Sequence, residues 1–454
     1  MITIHDNLWA EATRHKDDIK KLLRYKDKGY MFSPAYKQGR WDGWTNLWRE
    51  REGRLLFPAG LVAEVFKQPW AHDIGLTDLR KTPVSGGLFC AKQLVELDTN
   101  QEEAIDSGIN AGRGIIQYPT GYGKGRIIGE TIRRLGVKTL VLVDKLDLLA
   151  QLGKEIETCI GVPVSRIGGG QRQLGSCTIA TIQSFSRAMT EDPALCNFEA
   201  VLIDEGHHVE AATFQAVLKN LPLAFYRLIY SATVFKSFTA GSSENRSTYL
   251  KTQAWTGPMI AKVTLQEGVD AGRIVPPTIY VVHGAEWPNV PKAINYLEEV
   301  DRGIVNNTHR NVNIVSLASR LNNVVVLVER LDHGEILADA LGCPFVQGNT
   351  PGREAIYLAF KQGRMDKLVI SKIADEALNL PNIEHLILAG GGRAPHRQMQ
   401  RIGRGMRATD EKTGVLVFDY EDYGKYISAH YRKRRKTYDN EPSFTVVDID
   451  ITEI

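Results

Sequence analysis

The string YPTGYGKG, Tyr118 to Gly125, follows an apolar β-branched run and precedes an amphipathic stretch. In that setting a glycine-rich loop can aim backbone N–H groups at an anion on a helix N-terminus while a lysine neutralises its charge. Gly121 and Gly123 allow the tight turn, Lys124 supplies the cation, and Pro119, Thr120, Tyr122 and Gly125 complete the loop. A Ser or Thr normally follows such a lysine and holds Mg²⁺ through its hydroxyl; here that position is Gly125. Alone, the string also fits a plain glycine turn. Further along, Asp204 and Glu205 close the apolar run AVLI. At a strand end Asp204 could hold Mg²⁺, directly or through water, and Glu205 could polarise an attacking water. Alone, the pair also fits an acidic turn capping the next helix. Together, loop and carboxylates read as a site for ATP and Mg²⁺.

Such residues need strands and helices to hold them. GIIQYP (114–119), TLVLVD (139–144), CTIATI (177–182), AVLIDE (200–205) and RLIYSAT (227–233) read as buried parallel strands, with amphipathic helices between them at 125–135, 145–156 and 211–221. That alternation predicts a doubly wound α/β domain. A Gly/Ser-rich stretch in 234–275 breaks the rhythm before Pro276 and Pro277. A second series follows: TIYVV (278–282), NVVVLV (323–328), PFVQG (344–348), KLVIS (367–371), HLILAG (385–390) and GVLVFDY (414–420). The expected domains are 1–92, 93–275 and 276–454.

The chain of 454 residues is 43% hydrophobic and 24% charged, as for a soluble globular protein of several domains. No apolar run is long enough to span a bilayer, and the polar N-terminus does not read as a secretory signal. The five scattered cysteines have no metal-ligand spacing, so reduced thiols in a cytoplasmic protein are expected, without zinc. Net charge is only +3, so any nucleic-acid surface must be local.

From about residue 95 to 410 the ordered motifs resemble those of superfamily 2 helicases. Gln101 stands where the family reads adenine. PTGYGKG is similar to motif I, VDKLDLLAQ (143–151) to motif Ia, and DEGH to the DEAD/DEAH box. Ser231-Ala232-Thr233 resembles motif III, which with His207 would couple hydrolysis to strand contact. QGNTPGREAIYLAFKQG (347–363) and ISKIADEALNLPNI (370–383), the latter carrying Glu376 as a nucleotide contact, are similar to motifs IV and V. QMQRIGRGMR resembles motif VI, which implies that Gln400, Arg404 and Arg407 serve the γ-phosphate as catalytic groups. The resemblance implies two tandem RecA-like parallel-sheet domains behind a small N-terminal α+β domain. GYMFSPAYKQGRWDGWTNLW (29–48) and GRLLFPAGLV (53–62) resemble the leading domain of phage UvsW-type helicases, and the chain also resembles phage D-type recombination helicases. That implies 3′–5′ unwinding and branch migration of forked or Holliday-junction DNA in phage recombination, replication or repair, in the host cytoplasm. A monomer, and phage recombination or replication proteins as partners, are compatible with it.

Several residues are candidate DNA contacts. Lys37, Arg40, Trp41 and Trp44 mix cations with aromatic faces, although Trp41, Trp44 and Trp48 could equally fill a small core. Lys145, Gly169, Gly170, Thr181, Gln183 and Ser184 sit at loop or strand-end positions, and Arg432, Arg434 and Arg435 belong to a basic run that is either a solvated face or a phosphate contact. The same motor could instead serve a double-strand translocase, a restriction-type motor subunit or an RNA helicase. Gly125 leaves open an ATP-regulated binding module with weak hydrolysis. The strand-separating wedge is expected in 234–258 or in the N-terminal domain.

Overall fold

The structure, a computed structural model, describes residues 1–453 except 28, 207–208, 210, 233–245, 286–294, 372–382, 393–401, 404 and 407–413. It divides into two compact units, residues 1–118 with 123–263, and residues 264–454 with 119–122.

The first unit is built on an eight-stranded sheet. Its spatial order is Gln171–Arg172, Ser165–Gly168, Cys177–Thr181, Thr139–Val143, Ala200–Asp204, Tyr226–Ser231, Arg113–Gln117 and Met259–Lys262. All pairs are parallel except the edge pair of Gln171–Arg172 with Ser165–Gly168. The central strands Thr139–Val143 and Ala200–Asp204 are buried along their whole length, which is why they read as continuous apolar runs. Helices Lys124–Leu135, Leu146–Ile160, Ile182–Glu191 and Ala212–Lys219 supply crossovers, and Thr99–Ala111 leads into the strand Arg113–Gln117. Lys124–Leu135 and Leu146–Ile160 approach closely because Gly129 carries no side chain: a Cβ there would stand 2.7 Å from Cys159 Cβ and Sγ.

Residues 1–92 form their own five-stranded sheet, in the order Arg49–Arg51, Arg54–Pro58, Trp9–Ala12, Ile2–Ile4 and Leu76–Asp78. Its core is continuous with that of the neighbouring lobe: Ile2, Phe57 and Leu61 share one apolar cluster with Leu250 and Trp255. Gly60 is needed at that junction, since a Cβ there would overlap the Gln253 carbonyl oxygen. Residues 1–118 and 123–263 together make up this first compact unit.

The second unit carries a wholly parallel seven-stranded sheet, ordered Phe345–Val346, Lys367–Ser371, Val324–Val328, His385–Leu388, Val415–Tyr420, Pro277–His283 and Thr445–Asp450. Every strand expected from the sequence is present, and the fold is the two-lobed parallel α/β architecture expected. In the two lobe sheets the strands not foreseen are Ser165–Gly168, Gln171–Arg172, Met259–Lys262 and Thr445–Asp450; the last three are outer strands, and Thr445–Asp450 is half-exposed along most of its length. No helix among the described residues is long and apolar enough to cross a membrane.

A buried charge network ties the C-terminal helix Ile427–Asp439 to this second sheet. Arg434, expected from the sequence as a phosphate contact, is fully buried; its guanidinium donates to Asp419 (2.8 and 3.1 Å), to Asp422 (2.9 Å) and to the carbonyl of Gly392 (3.1 Å). Tyr438 donates to Asp419 (2.9 Å), and Arg310 lies over the Tyr420 ring while donating to the Ala389 carbonyl (2.6 Å). The DNA role for Arg434 is therefore corrected: a surface helix shows only part of its residues to solvent, and this one faces the core. Arg435 is half-buried and held by Asp448 and Asp439, whereas Arg432 is exposed. Removing one partner of a buried ion network leaves uncompensated charge. In denaturant unfolding of the full chain, Arg434→Ala is expected to destabilise the second lobe by about 3–5 kcal/mol, and Arg432→Ala to stay within about 0.5 kcal/mol. Equal small effects would remove the scaffold role assigned to Arg434.

Candidate nucleotide and nucleic-acid site

The loop 118–124 connects strand Arg113–Gln117 to helix Lys124–Leu135. Its start is pinned where the Tyr118 N–H donates to the carbonyl of Ser231 (3.1 Å), at the end of the neighbouring strand. The Tyr122 N–H closes a turn onto the Pro119 carbonyl (3.3 Å). Gly121 and Gly123 both take φ of 91°, a conformation that side-chain-bearing residues rarely adopt. Gly123 is the residue before the helix, and its carbonyl accepts the N–H groups of Arg126 and Ile127. The N-terminal N–H groups of Lys124–Leu135 have no acceptor within the helix, so this turn is suited to an anion.

Gln101 lies beside the loop, with its Nε2 2.9 Å from where a Cβ on Gly123 would stand. Its other end is engaged in a capping box on helix Thr99–Ala111: the Gln101 N–H donates to Asp98 Oδ1 (2.9 Å) and Gln101 Oε1 accepts from the Asp98 N–H (3.2 Å). The cap fixes the side chain next to the phosphate turn.

Asp204 ends its strand and Glu205 begins the following turn. Glu205 has a φ of 53°, in the left-handed region that favours glycine, so the backbone there is strained. The turn lets the Glu205 N–H donate to Asp204 Oδ1 (3.0 Å) and carries Glu205 Oε1 to 3.5 Å from Lys124 Nζ. Burial and the adjacent Glu205 charge push the Asp204 carboxyl up to about 7, against the pull of Lys124 and of the Glu205 N–H, and the charge of Glu155 adds to the rise. A cation placed beside Asp204 would relieve these unfavourable interactions. Among the described residues no three of His, Cys, Asp and Glu group into a self-sufficient metal site.

Gly125 sits in the first turn of the helix, buried against helix Leu146–Ile160. A Cβ there would overlap Glu155 Oε2, with Glu155 Cδ at 2.9 Å and Leu152 Cδ1 at 3.3 Å. A carboxylate from the next helix thus fills the space where the usual hydroxyl side chain would grow. Sequence spacing does not reveal Glu155, because the contact depends on how two helices cross.

The same sheet edge gathers other residues singled out from the sequence. Lys145 precedes helix Leu146–Ile160, while Gly169 and Gly170 form the turn between Ser165–Gly168 and Gln171–Arg172, both at positive φ. Thr181, Gln183 and Ser184 stand at the start of helix Ile182–Glu191. Thr181 is buried and spent on capping: its hydroxyl accepts the Ser184 N–H (3.3 Å) and donates to Ser184 Oγ (2.8 Å). Gln183 is exposed at that edge. Ser231 is buried at the end of its strand. His207, Thr233, Glu376, Gln400, Arg404 and Arg407 lie outside the described residues.

On the N-terminal sheet side, Lys37 and Arg40 are exposed and the three tryptophans half-buried. Trp41 Nε1 donates to the Trp44 carbonyl (2.6 Å) and Trp48 Nε1 to that of Lys20 (3.2 Å). The Trp44 ring is covered by Arg24 at 4.3 Å and Lys26 at 5.3 Å. Arg24 and Lys26 were not singled out from the sequence; the pairing of Arg24–Lys26 with Trp44–Asn46, with Lys26 opposite Trp44, brings them there.

A left-handed non-glycine residue costs roughly 1–2 kcal/mol, partly offset by the extra unfolded freedom of glycine. Glu205→Gly is therefore expected to leave stability unchanged or raise it by up to about 1 kcal/mol, in denaturant titration. A clear loss of stability would show that Glu205 serves the fold rather than the site.

Two family models match in tandem: the type III restriction enzyme res subunit over residues 94–236, and the helicase conserved C-terminal domain over 305–409. The Rad25 DNA 3′–5′ helicase of Halobacterium salinarum is 27% identical over 360 residues, covering 75% of this chain and 57% of that protein. The chain spans only about half the length of the two archaeal Rad25 relatives, 57% and 51%. The ATP-dependent DNA helicase uvsW of Enterobacteria phage T4 is 21% identical over 469 residues, covering 93% of this chain and 90% of that protein. Among solved structures, a fragment of an HsdR subunit of a type I restriction enzyme from Vibrio vulnificus shares the fold, with TM-score 0.55 and 18% identity over 78% of this chain and 68% of that one. With the two matched domains in tandem and a glycine-rich loop whose Lys124 faces a strand-end Asp-Glu pair, the chain is similar to superfamily 2 helicases and resembles the UvsW type among them.

Proposed function

We propose that the protein couples ATP hydrolysis to 3′–5′ movement on DNA and uses that movement to unwind and branch-migrate forked and Holliday-junction DNA. The observation that carries the motor reading is the meeting of Lys124 with Glu205, beside Asp204, on one sheet edge. The loop N–H groups and Lys124 bind the phosphates. Asp204 would hold Mg²⁺, which would supply neutralisation of the phosphate charge. Glu205 takes the proton of the attacking water as its oxygen bonds to the γ-phosphorus and the β–γ bridging oxygen leaves with ADP. Gln400, Arg404 and Arg407 from the second lobe complete charge stabilisation in this reading, with Glu376 as a further nucleotide contact. Lys145, Gly169, Gly170, Gln183, Ser184 and the exposed Arg432 contact the tracked strand.

The branched-DNA part is supported by the match to the phage relative, which runs over nearly the whole of both chains. Residues 1–92 then hold the junction through Lys37, Arg40, Trp41 and Trp44, and 93–275 and 276–454 form the motor. A phage recombination, replication or repair setting, in the host cytoplasm, follows from the same relative. A second reading, translocation along intact duplex, is favoured by the match of residues 94–236 to a restriction-enzyme motor subunit.

Two measurements separate these readings. Lys124→Ala and Glu205→Gln are each expected to lower DNA-stimulated ATP turnover by about 10²–10⁴-fold; normal hydrolysis by either would overturn the site. ATP-dependent strand separation is then compared on linear duplex, 3′ and 5′ overhangs, forks and Holliday junctions, in DNA and RNA. Faster action on forks and junctions is expected. Displacement of a triplex strand without separation of any substrate would favour the duplex translocase.

A further inference from the structure

The missing hydroxyl at position 125 has a counterpart in the fold. Helix Leu146–Ile160 brings the half-buried Glu155 to the first turn of helix Lys124–Leu135, and its carboxylate occupies the volume that a side chain on residue 125 would need. Gln151 Nε2, one turn back, donates to Glu155 Oε1 (3.3 Å) and orients the group. Glu155 Oε2 is the oxygen directed at Gly125.

Packing alone accounts for the glycine at 129, where the neighbour is the apolar body of Cys159. It does not account for a charged group at 125. The Glu155 Oε2 oxygen stands instead where the side chain of residue 125 would begin, next to the loop lysine. A hard divalent cation takes oxygen donors, and a carboxylate can replace a hydroxyl on it directly or through a bound water.

We propose that Glu155 substitutes for the absent loop hydroxyl, holding the divalent cation of the bound nucleotide from the side of position 125. The proposal rests on the ATP-site reading above and assigns to that site a residue outside both of its sequence motifs. Its consequence is that Gly125 and Glu155 act as a pair: a hydroxyl at 125 and a carboxylate at 155 are alternatives that compete for one volume.

The test uses the full chain and a fluorescent ATP analogue, titrated with Mg²⁺ and separately in EDTA, with Mn²⁺ electron paramagnetic resonance as a direct readout of the metal. Glu155→Gln is expected to leave analogue binding in EDTA intact and to raise the Mg²⁺ concentration needed for half-maximal tightening by about 10-fold or more, as for groups that orient metal ligands. Glu155→Asp should shift it in the same direction and by less. Gly125→Ser added to Glu155→Ala, which clears the shared volume, should restore much of the Mg²⁺ dependence that Glu155→Ala alone loses, while Gly125→Ser in the natural chain should not improve on it. Unchanged Mg²⁺ and Mn²⁺ titrations in Glu155→Gln and Glu155→Asp would overturn the proposal while leaving the ATP site standing. Failure of the natural chain to bind the analogue, with no difference from Lys124→Ala, would instead overturn the ATP-site reading and the proposal with it.

Discussion

A parallel sheet ends all its strands on one edge, and the chemistry of the first lobe depends on that constraint. Gln117, Val143, Thr181, Asp204 and Ser231 close five different strands of one sheet. The ladder sets their level: Gln117 pairs with Ser231, and Asp204 with Tyr230. The loop after the first of these strands therefore rises beside the carboxylates after another, and the Lys124–Glu205 contact follows. Antiparallel pairing of Tyr226–Ser231 with just one of its neighbours, Arg113–Gln117 or Ala200–Asp204, would send one of the two groups to the far edge.

Local strain appears where that edge does its work. Gly121 and Gly123 absorb positive φ at no steric cost, but Glu205 does so with a full side chain. The turn is held because the Glu205 N–H caps Asp204 and the side chain faces Lys124. Tight helix packing next to the loop then brings Glu155 into the place of the expected hydroxyl.

In the second lobe the organising element is electrostatic. Arg434, Asp419, Asp422, Tyr438 and Arg310 bury several polar groups together and satisfy many of them on one another and on the carbonyls of Ala389 and Gly392. These carbonyls precede the segment that contains Gln400, Arg404 and Arg407. The basic run near the C-terminus is thus split by helical geometry, with one arginine in the core, one paired at the margin and one in solvent.

The fold class was legible because buried parallel strands must be apolar on both faces, so TLVLV, AVLID and VVVLV announce themselves. Met259–Lys262 and Thr445–Asp450 were not, because outer strands need no continuous apolar run. The phosphate loop and the Asp204-Glu205 pair were legible because each is a short contiguous string whose chemistry is set by local backbone. What lay beyond the sequence alone were the relations between elements: Glu155 against Gly125, Arg24 and Lys26 over Trp44, Arg434 turned inward, and residues 1–92 sharing a core with the first lobe. Residue types and spacing by themselves picked out the Lys124 loop and the Asp204-Glu205 pair, which lie together on one sheet edge. Which side chain faces which neighbour was decided by helix rotation and strand register, and these are settled only when the whole core packs.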